Sequence, residues 1–93
     1  MELNKNQYVI YKGLPLVRDG DTIYYGDLND KYLLVLNILT KKENGEPDMI
    51  MVQICHTENR NKIVSGKQAF KNGLYDALDL GIIWLEHLNK EGE

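Results

Sequence analysis

The sequence predicts an α+β domain: an antiparallel sheet of four strands in the order ββββα, with one C-terminal helix packed on one face. Three observations predict it. Phe70–Leu88 repeats its apolar residues at helical spacing. The chain before it carries two-residue turn signals, Asp19-Gly20 and Asn44-Gly45. Between those turns Tyr32–Thr40, YLLVLNILT, is an apolar run of strand length.

Tyr8–Tyr11 and Leu14–Arg18 read as one β-rich stretch in two pieces, interrupted by Lys12-Gly13. Pro15 cannot donate to a ladder, which assigns this stretch to a sheet edge. With Asp19-Gly20 as the turn, Leu16 faces Ile23 and Leu14 faces Tyr25, giving one apolar face of Leu14, Leu16, Ile23 and Tyr25. Gly26–Lys31 is a turn. In Tyr32–Thr40 the residues Leu34, Leu36 and Ile38 point one way and Leu33, Val35 and Leu39 the other, the pattern of a central strand covered on both faces. Lys41–Pro47 leads to Asp48–Thr57, and an Asn44-Gly45 turn sets Leu39 against Ile50 and Asn37 against Val52. Pro47 can lengthen that loop, and a register shift of one would exchange the faces. Glu58–Lys62 is a loop, and Ile63-Val64 leads into the helix.

The helix is expected over Lys67–Asn89, with Ser65 and Gln68 forming a capping box and a possible break at Gly73. Leu74, Ala77, Leu78, Gly81, Trp84, Leu85 and Leu88 share a third of the helical wheel, and Asp76, Asp79 and Glu86 oppose them. Gly81 in the apolar stripe costs about 1 kcal/mol against alanine, a cost that close approach of helix backbone to sheet would explain. Trp84 is expected between helix and sheet.

Ninety-three residues make a single domain with a modest core, 1–93. The net charge of −3 argues against a phosphate-binding surface over the whole domain. One cysteine, Cys55, excludes an intrachain disulfide and suits a reducing compartment. The polar start MELNKNQ has no apolar signal region, and no apolar run reaches membrane-span length. These features predict a cytoplasmic protein with frayed ends at Met1–Gln7 and Lys90–Glu93.

Side chains with chemical potential have bland explanations. Cys55 and His56 are adjacent, so on a strand they point to opposite faces and cannot form a thiol–imidazole pair. Asp76 and Asp79 share a helix face, but no matching His pair or second acidic pair completes a metal site. Six tyrosines suggest base stacking, yet tyrosine favours half-buried strand positions without any ligand, and the domain is acidic overall. Ser65, Gly66 and Lys67 at a helix start could hold one anion on free N–H groups, within the basic stretch Arg60–Lys71.

These readings predict no enzyme, no metal and no cofactor. The expected function is that of a non-enzymatic protein-interaction or self-association module, a homodimer or a partner of another protein. A nucleic-acid-binding module using Arg60–Lys71 is the alternative. The expected interface is Leu34, Leu36, Ile38, Met49 and Met51, with Leu80 and Ile83 as secondary contacts, or the alternate sheet face if the register is shifted. One helix covers one sheet face, while these strands are apolar on both.

Overall fold

Six strands, not four, precede the helix in the computed structural model, which describes residues 8–91. They are β1 (Tyr8–Tyr11), β2 (Leu14–Asp19), β3 (Thr22–Tyr25), β4 (Tyr32–Ile38), β5 (Met49–His56) and β6 (Ile63–Asn72), followed by α1 (Leu74–Glu91). Each strand pairs antiparallel with its chain neighbour, in the order β1-β2-β3-β4-β5-β6. The expected α+β class, antiparallel sheet and C-terminal helix hold. The strand count does not, for two local reasons.

The first is Lys12-Gly13. Lys12 has φ 48° and Gly13 φ 85°, both left-handed. Two such residues form a type I′ turn, whose twist matches that of the strands it joins. The interruption is therefore a hairpin, and β1 and β2 pair through Val9↔Leu16 and Tyr11↔Leu14. Pro15 consequently lies one strand in from the edge. It is tolerated there because its backbone faces Gly26, just past the end of β3, where its carbonyl accepts from Gly26 N at 3.1 Å.

The second is the segment expected to open the helix. Ile63–Asn72 pairs with β5 instead, through Met49↔Asn72, Met51↔Phe70 and Gln53↔Gln68. A helix from Lys67 would leave the apolar strand β5 as an edge with a row of unpaired backbone groups. The helix begins only after Gly73, whose φ of 88° reverses the chain. Gly73 N donates to Asp48 O at 2.7 Å, and Gly73 O accepts the first helical bond, from Ala77 N. Gly73 is thus the N-cap. At the other end α1 continues through Lys90 and Glu91, which were expected to fray. Met1–Gln7 lies outside the described residues.

Two registers differ from expectation. In the β2–β3 hairpin Asp19 pairs with Thr22 and Leu16 with Tyr25, so Gly20-Asp21 is the loop. Gly20 has φ 62°, and as the first loop residue it gives a II′ turn. The shift is two residues, so the apolar face of Leu14, Leu16, Ile23 and Tyr25 survives. Gly20→Val is expected to cost about 1–2 kcal/mol, the strain of a left-handed L-residue. A thermal melt should show a drop of several degrees, and an unchanged midpoint would contradict the hairpin.

Between β4 and β5 the shift is one residue: Ile38 pairs with Ile50 and Leu36 with Val52. The Asn44-Gly45 turn sits inside a longer loop, closed by a Lys41↔Pro47 bridge. A slip of one exchanges faces. Leu34, Leu36 and Ile38 therefore join Ile50, Val52 and Ile54, away from Met49 and Met51.

The helix lies against β4, β5 and β6 on that Leu34–Leu36–Ile38 face. Ala77, Leu78, Ile82 and Leu85 are buried there, with Leu16, Ile23 and Tyr25 from the first strands. A Cβ on Gly81 would fall inside the Leu34 side chain, so the glycine does permit close approach. Trp84 is only half-buried, with Lys67 Nζ 5.4 Å from its ring centre. Ile82 takes the deeper position, because the buried stripe is rotated toward it. Asn89 fastens the helix end to β4: Tyr32 N donates to Asn89 Oδ1 at 3.1 Å, and Asn89 Nδ2 donates to Tyr32 O at 3.4 Å. Among the described residues no helix is long and apolar enough to cross a membrane.

Candidate functional site

The face of the sheet opposite α1 is built by strand alternation. The strand register sets Tyr8, Val17, Tyr24, Val35, Gln53 and Gln68 in one row across all six strands. The next row runs Asp19, Thr22, Asn37, Met51, Phe70. Ile10 and Pro15 flank the first row at one end, and Leu33, Cys55 and Ile63 at the other.

Its margins and its centre differ. Tyr8 and Ile10 on β1 and Phe70 on β6 are exposed by 58–61%. Val35, Gln53, Leu33 and Cys55 in the middle are buried. The loop between β5 and β6 contributes to that cover: the Arg60 guanidinium carbon stands 4.6 Å from the centre of the Tyr24 ring, a cation–π distance. A chain of neutral polar groups crosses the centre. Thr22 Oγ1 donates to Asn37 Oδ1 at 3.4 Å, and Asn37 Nδ2 donates to Gln53 Oε1 at 3.1 Å. Gln68 Nε2 approaches Met51 Sδ at 3.1 Å. Among the described strand residues on this face, Asp19 alone carries a charged side chain, at the β2–β3 turn.

The residues expected to form the interface are divided. Leu34 and Leu36 are fully buried and Ile38 nearly so, beneath α1. Their place in the expected interface is corrected by the one-residue shift, and the alternate face is the one left open. Met49 and Met51 stay on that open face, half-buried. Leu80 is half-buried on α1, and Ile83 is exposed on its outer side.

The anion candidate loses its premise. Ser65, Gly66 and Lys67 lie in β6, within a bulge where Gln53↔Gln68 gives way to Cys55↔Ile63, and Gly66 there has φ 78°. No helix starts at Ser65, and the Lys67 ammonium faces Trp84. The basic stretch Arg60–Lys71 is likewise split across the sheet: Arg60 lies over Tyr24, while Lys67 and Lys71 alternate with Ala69 on the helix side.

Cys55 is 1% exposed, and burial pushes its thiol up against a smaller opposing effect of Arg60. Such a thiol is a weak nucleophile. His56 points to the other face, its ring centre 5.2 Å from that of Tyr32. Asp76 and Asp79 are exposed on α1. Among the described residues no group of three His, Cys, Asp or Glu side chains is placed to hold a metal ion.

No family model, curated protein or solved structure matches the chain.

One open groove, about 700 Å³, lies between the β3–β4 and β5–β6 loops, lined by Leu28, Asn29, Asp30, Lys31, His56, Thr57, Glu58 and Arg60. Thr57 ties its walls together: Oγ1 donates to Asp30 O at 2.6 Å, and N donates to Lys31 O at 3.0 Å. Its charges are of both signs, and its cations lie over rings, Lys31 over Tyr32 and Arg60 over Tyr24. That arrangement braces two loops and gives a ligand no single charge to meet.

The amide chain Thr22–Asn37–Gln53 was missed at the sequence level, although a signal exists. Asn37 is the one amide within YLLVLNILT and Gln53 the one within DMIMVQICHT. A lone amide in a doubly apolar strand points to a partner across the sheet.

Two buried acids give a pH prediction. Burial raises the Tyr25 phenol, with smaller contributions from Glu86 and Tyr11, and burial also raises Cys55. The folded chain then holds both protons longer than the unfolded one. Stability is complete below the ordinary thiol value and falls as pH rises past about 9 and then about 10. Urea midpoints measured up the alkaline range should decline; midpoints that hold or rise would contradict the burial of both groups.

Proposed function

We propose that this protein is a non-enzymatic interaction module whose working event is association with itself. One observation carries the reading: a six-stranded sheet has α1 on one face, and the other presents Tyr8, Ile10 and Phe70 to solvent. These groups stand at the two margins of that face, with Met49 and Met51 half-buried beside Phe70, and apolar groups gathered on one sheet face suit an interface.

The chemistry elsewhere supports the same reading. The one cysteine is buried with a raised thiol, and the open groove offers charges of both signs. Nucleic acid is the weaker candidate, because the lysines and Arg60 are divided between two faces of a chain with net charge −3. Light scattering at micromolar concentration tests the proposal. Twice the 10.7 kDa chain mass is expected. A single-chain mass at every concentration would refute it, and tight, salt-sensitive oligonucleotide binding would favour the alternative.

A further inference from the structure

We infer that the outer edge of β6 binds an acidic peptide segment in extended form, added to the sheet as a further antiparallel strand. This surface is separate from the open face, and its partner is not a second copy of the chain.

The backbone supplies the first argument. β6 is the last strand of the sheet, and β5 is its one paired neighbour among the described residues. Gly73 N donates to Asp48 O on the β5 side. Backbone groups alternate in direction along a strand, so Lys71 and Ala69 also turn theirs toward β5, while Asn72, Phe70 and Gln68 turn theirs outward. The run Gln68–Asn72 follows β5 in unbroken register, between the bulge on one side and the turn at Gly73 on the other. At the usual rise it spans about 17 Å, the length of an ordinary strand. Such a row of outward donors and acceptors is what an extended peptide pairs with.

Charge is the second. From Asn59 to Tyr75 the chain holds Arg60, Lys62, Lys67 and Lys71 and no acid, although its net charge is −3. Lys67 and Lys71 stand on the helix side of the edge, with Ala69 between them. Lysines on an edge strand select against unsuitable partners. A second β6 centred on Ala69 would set Lys67 opposite Lys71 at both ends, and like charges directly opposite are destabilising. An acidic strand meets opposite charges at the same two positions.

Side-chain alternation is the third. On the open-face side the added strand lies opposite Gln68, Phe70 and Asn72, all exposed, and Phe70 offers it an apolar ring. On the helix side it lies opposite Lys67, Ala69 and Lys71. The segment that fits therefore alternates acidic with apolar residues.

The probe is a short synthetic peptide alternating glutamate with valine, dye-labelled and titrated with the full chain by fluorescence anisotropy. Saturable binding is expected, and the same peptide with lysine for glutamate should bind about tenfold more weakly or worse. In the double variant Lys67→Glu, Lys71→Glu that preference should invert, with far-UV circular dichroism verifying the fold. The wild-type chain gives the backbone test. N-methylation of the valines, whose N–H groups face β6, should abolish binding. N-methylation of the glutamates, whose N–H groups face away, should largely preserve it. Light scattering should show no loss of chain mass on peptide binding. No binding of the glutamate peptide, equal loss from both methylation patterns, or a preference unmoved by the charge reversal would overturn the proposal. A peptide that binds by splitting a dimer, seen as a halved mass, would give this edge to a second copy and overturn the acidic partner.

Discussion

Gly81→Ala is expected to destabilise the fold by about 1–3 kcal/mol, although alanine is the better helix former by about 1 kcal/mol. The added Cβ would enter the space of the Leu34 side chain, which is fully buried beneath α1. Leu34 cannot swing aside cheaply, because Tyr25 and Ile54 are its paired neighbours on the same face and both are buried. The sign should reverse when the obstacle is removed. In a Leu34→Ala background, Gly81→Ala should be neutral or stabilising. Chemical denaturation of the four members of this cycle gives the coupling directly. A Gly81→Ala chain more stable than the wild type would mean that helix and sheet are further apart than described.

Leu36→Ala is expected to cost about 2–5 kcal/mol, a large part of the stability of a domain this size. Leu36 has no exposed surface and lies between Ile23 and Val52 in one row of the core. The substitution should lower the urea midpoint strongly. At concentrations where the variant is folded, it should leave the mass unchanged. That separation matters because Leu36 was expected at the interface. Loss of association with little loss of stability would return Leu36 to the surface and undo the register of β4 on β5.

These residues also show what could be read in the sequence. The helix stripe was legible because Ala77, Leu78 and Leu85 recur at the spacing a buried face requires. The reason for Gly81 was legible because a glycine there has a cost that only close packing offsets. The apolar face of the β2–β3 hairpin was legible too, since its register erred by two residues and an even shift keeps the faces. The errors arose where local signals underdetermine tertiary pairing. Ser65-Gly66-Lys67-Gln68 has the form of a helix cap, yet β5 needs a partner along its outer edge, and that long-range demand is invisible in a local motif. Lys12-Gly13 looked like a break because lysine seldom adopts φ 48°. The shift at Pro47 was foreseen as a possibility, but loop length alone could not decide it, and on it hung which face α1 covers.

The candidate surface was legible only in kind. That one apolar face would lack a helix followed from counting faces, whereas its identity required the register. The Arg60–Tyr24 contact and the Asn37–Gln53 bond join residues 36 and 16 positions apart, and no local pattern announces either.

Methionine oxidation tests the central claim most directly. Met49 and Met51 lie on the open face and are half-buried in the single chain. Peroxide converts exposed methionine to the sulfoxide, and the rate at each site can be followed by peptide mass spectrometry. With free methionine as an internal standard, oxidation of Met49 and Met51 should slow markedly as the protein is raised from low micromolar to near-millimolar concentration. Phe70→Glu should abolish that protection. Rates at Met49 and Met51 that stay constant across the whole range, in a chain whose mass doubles, would place the interface elsewhere.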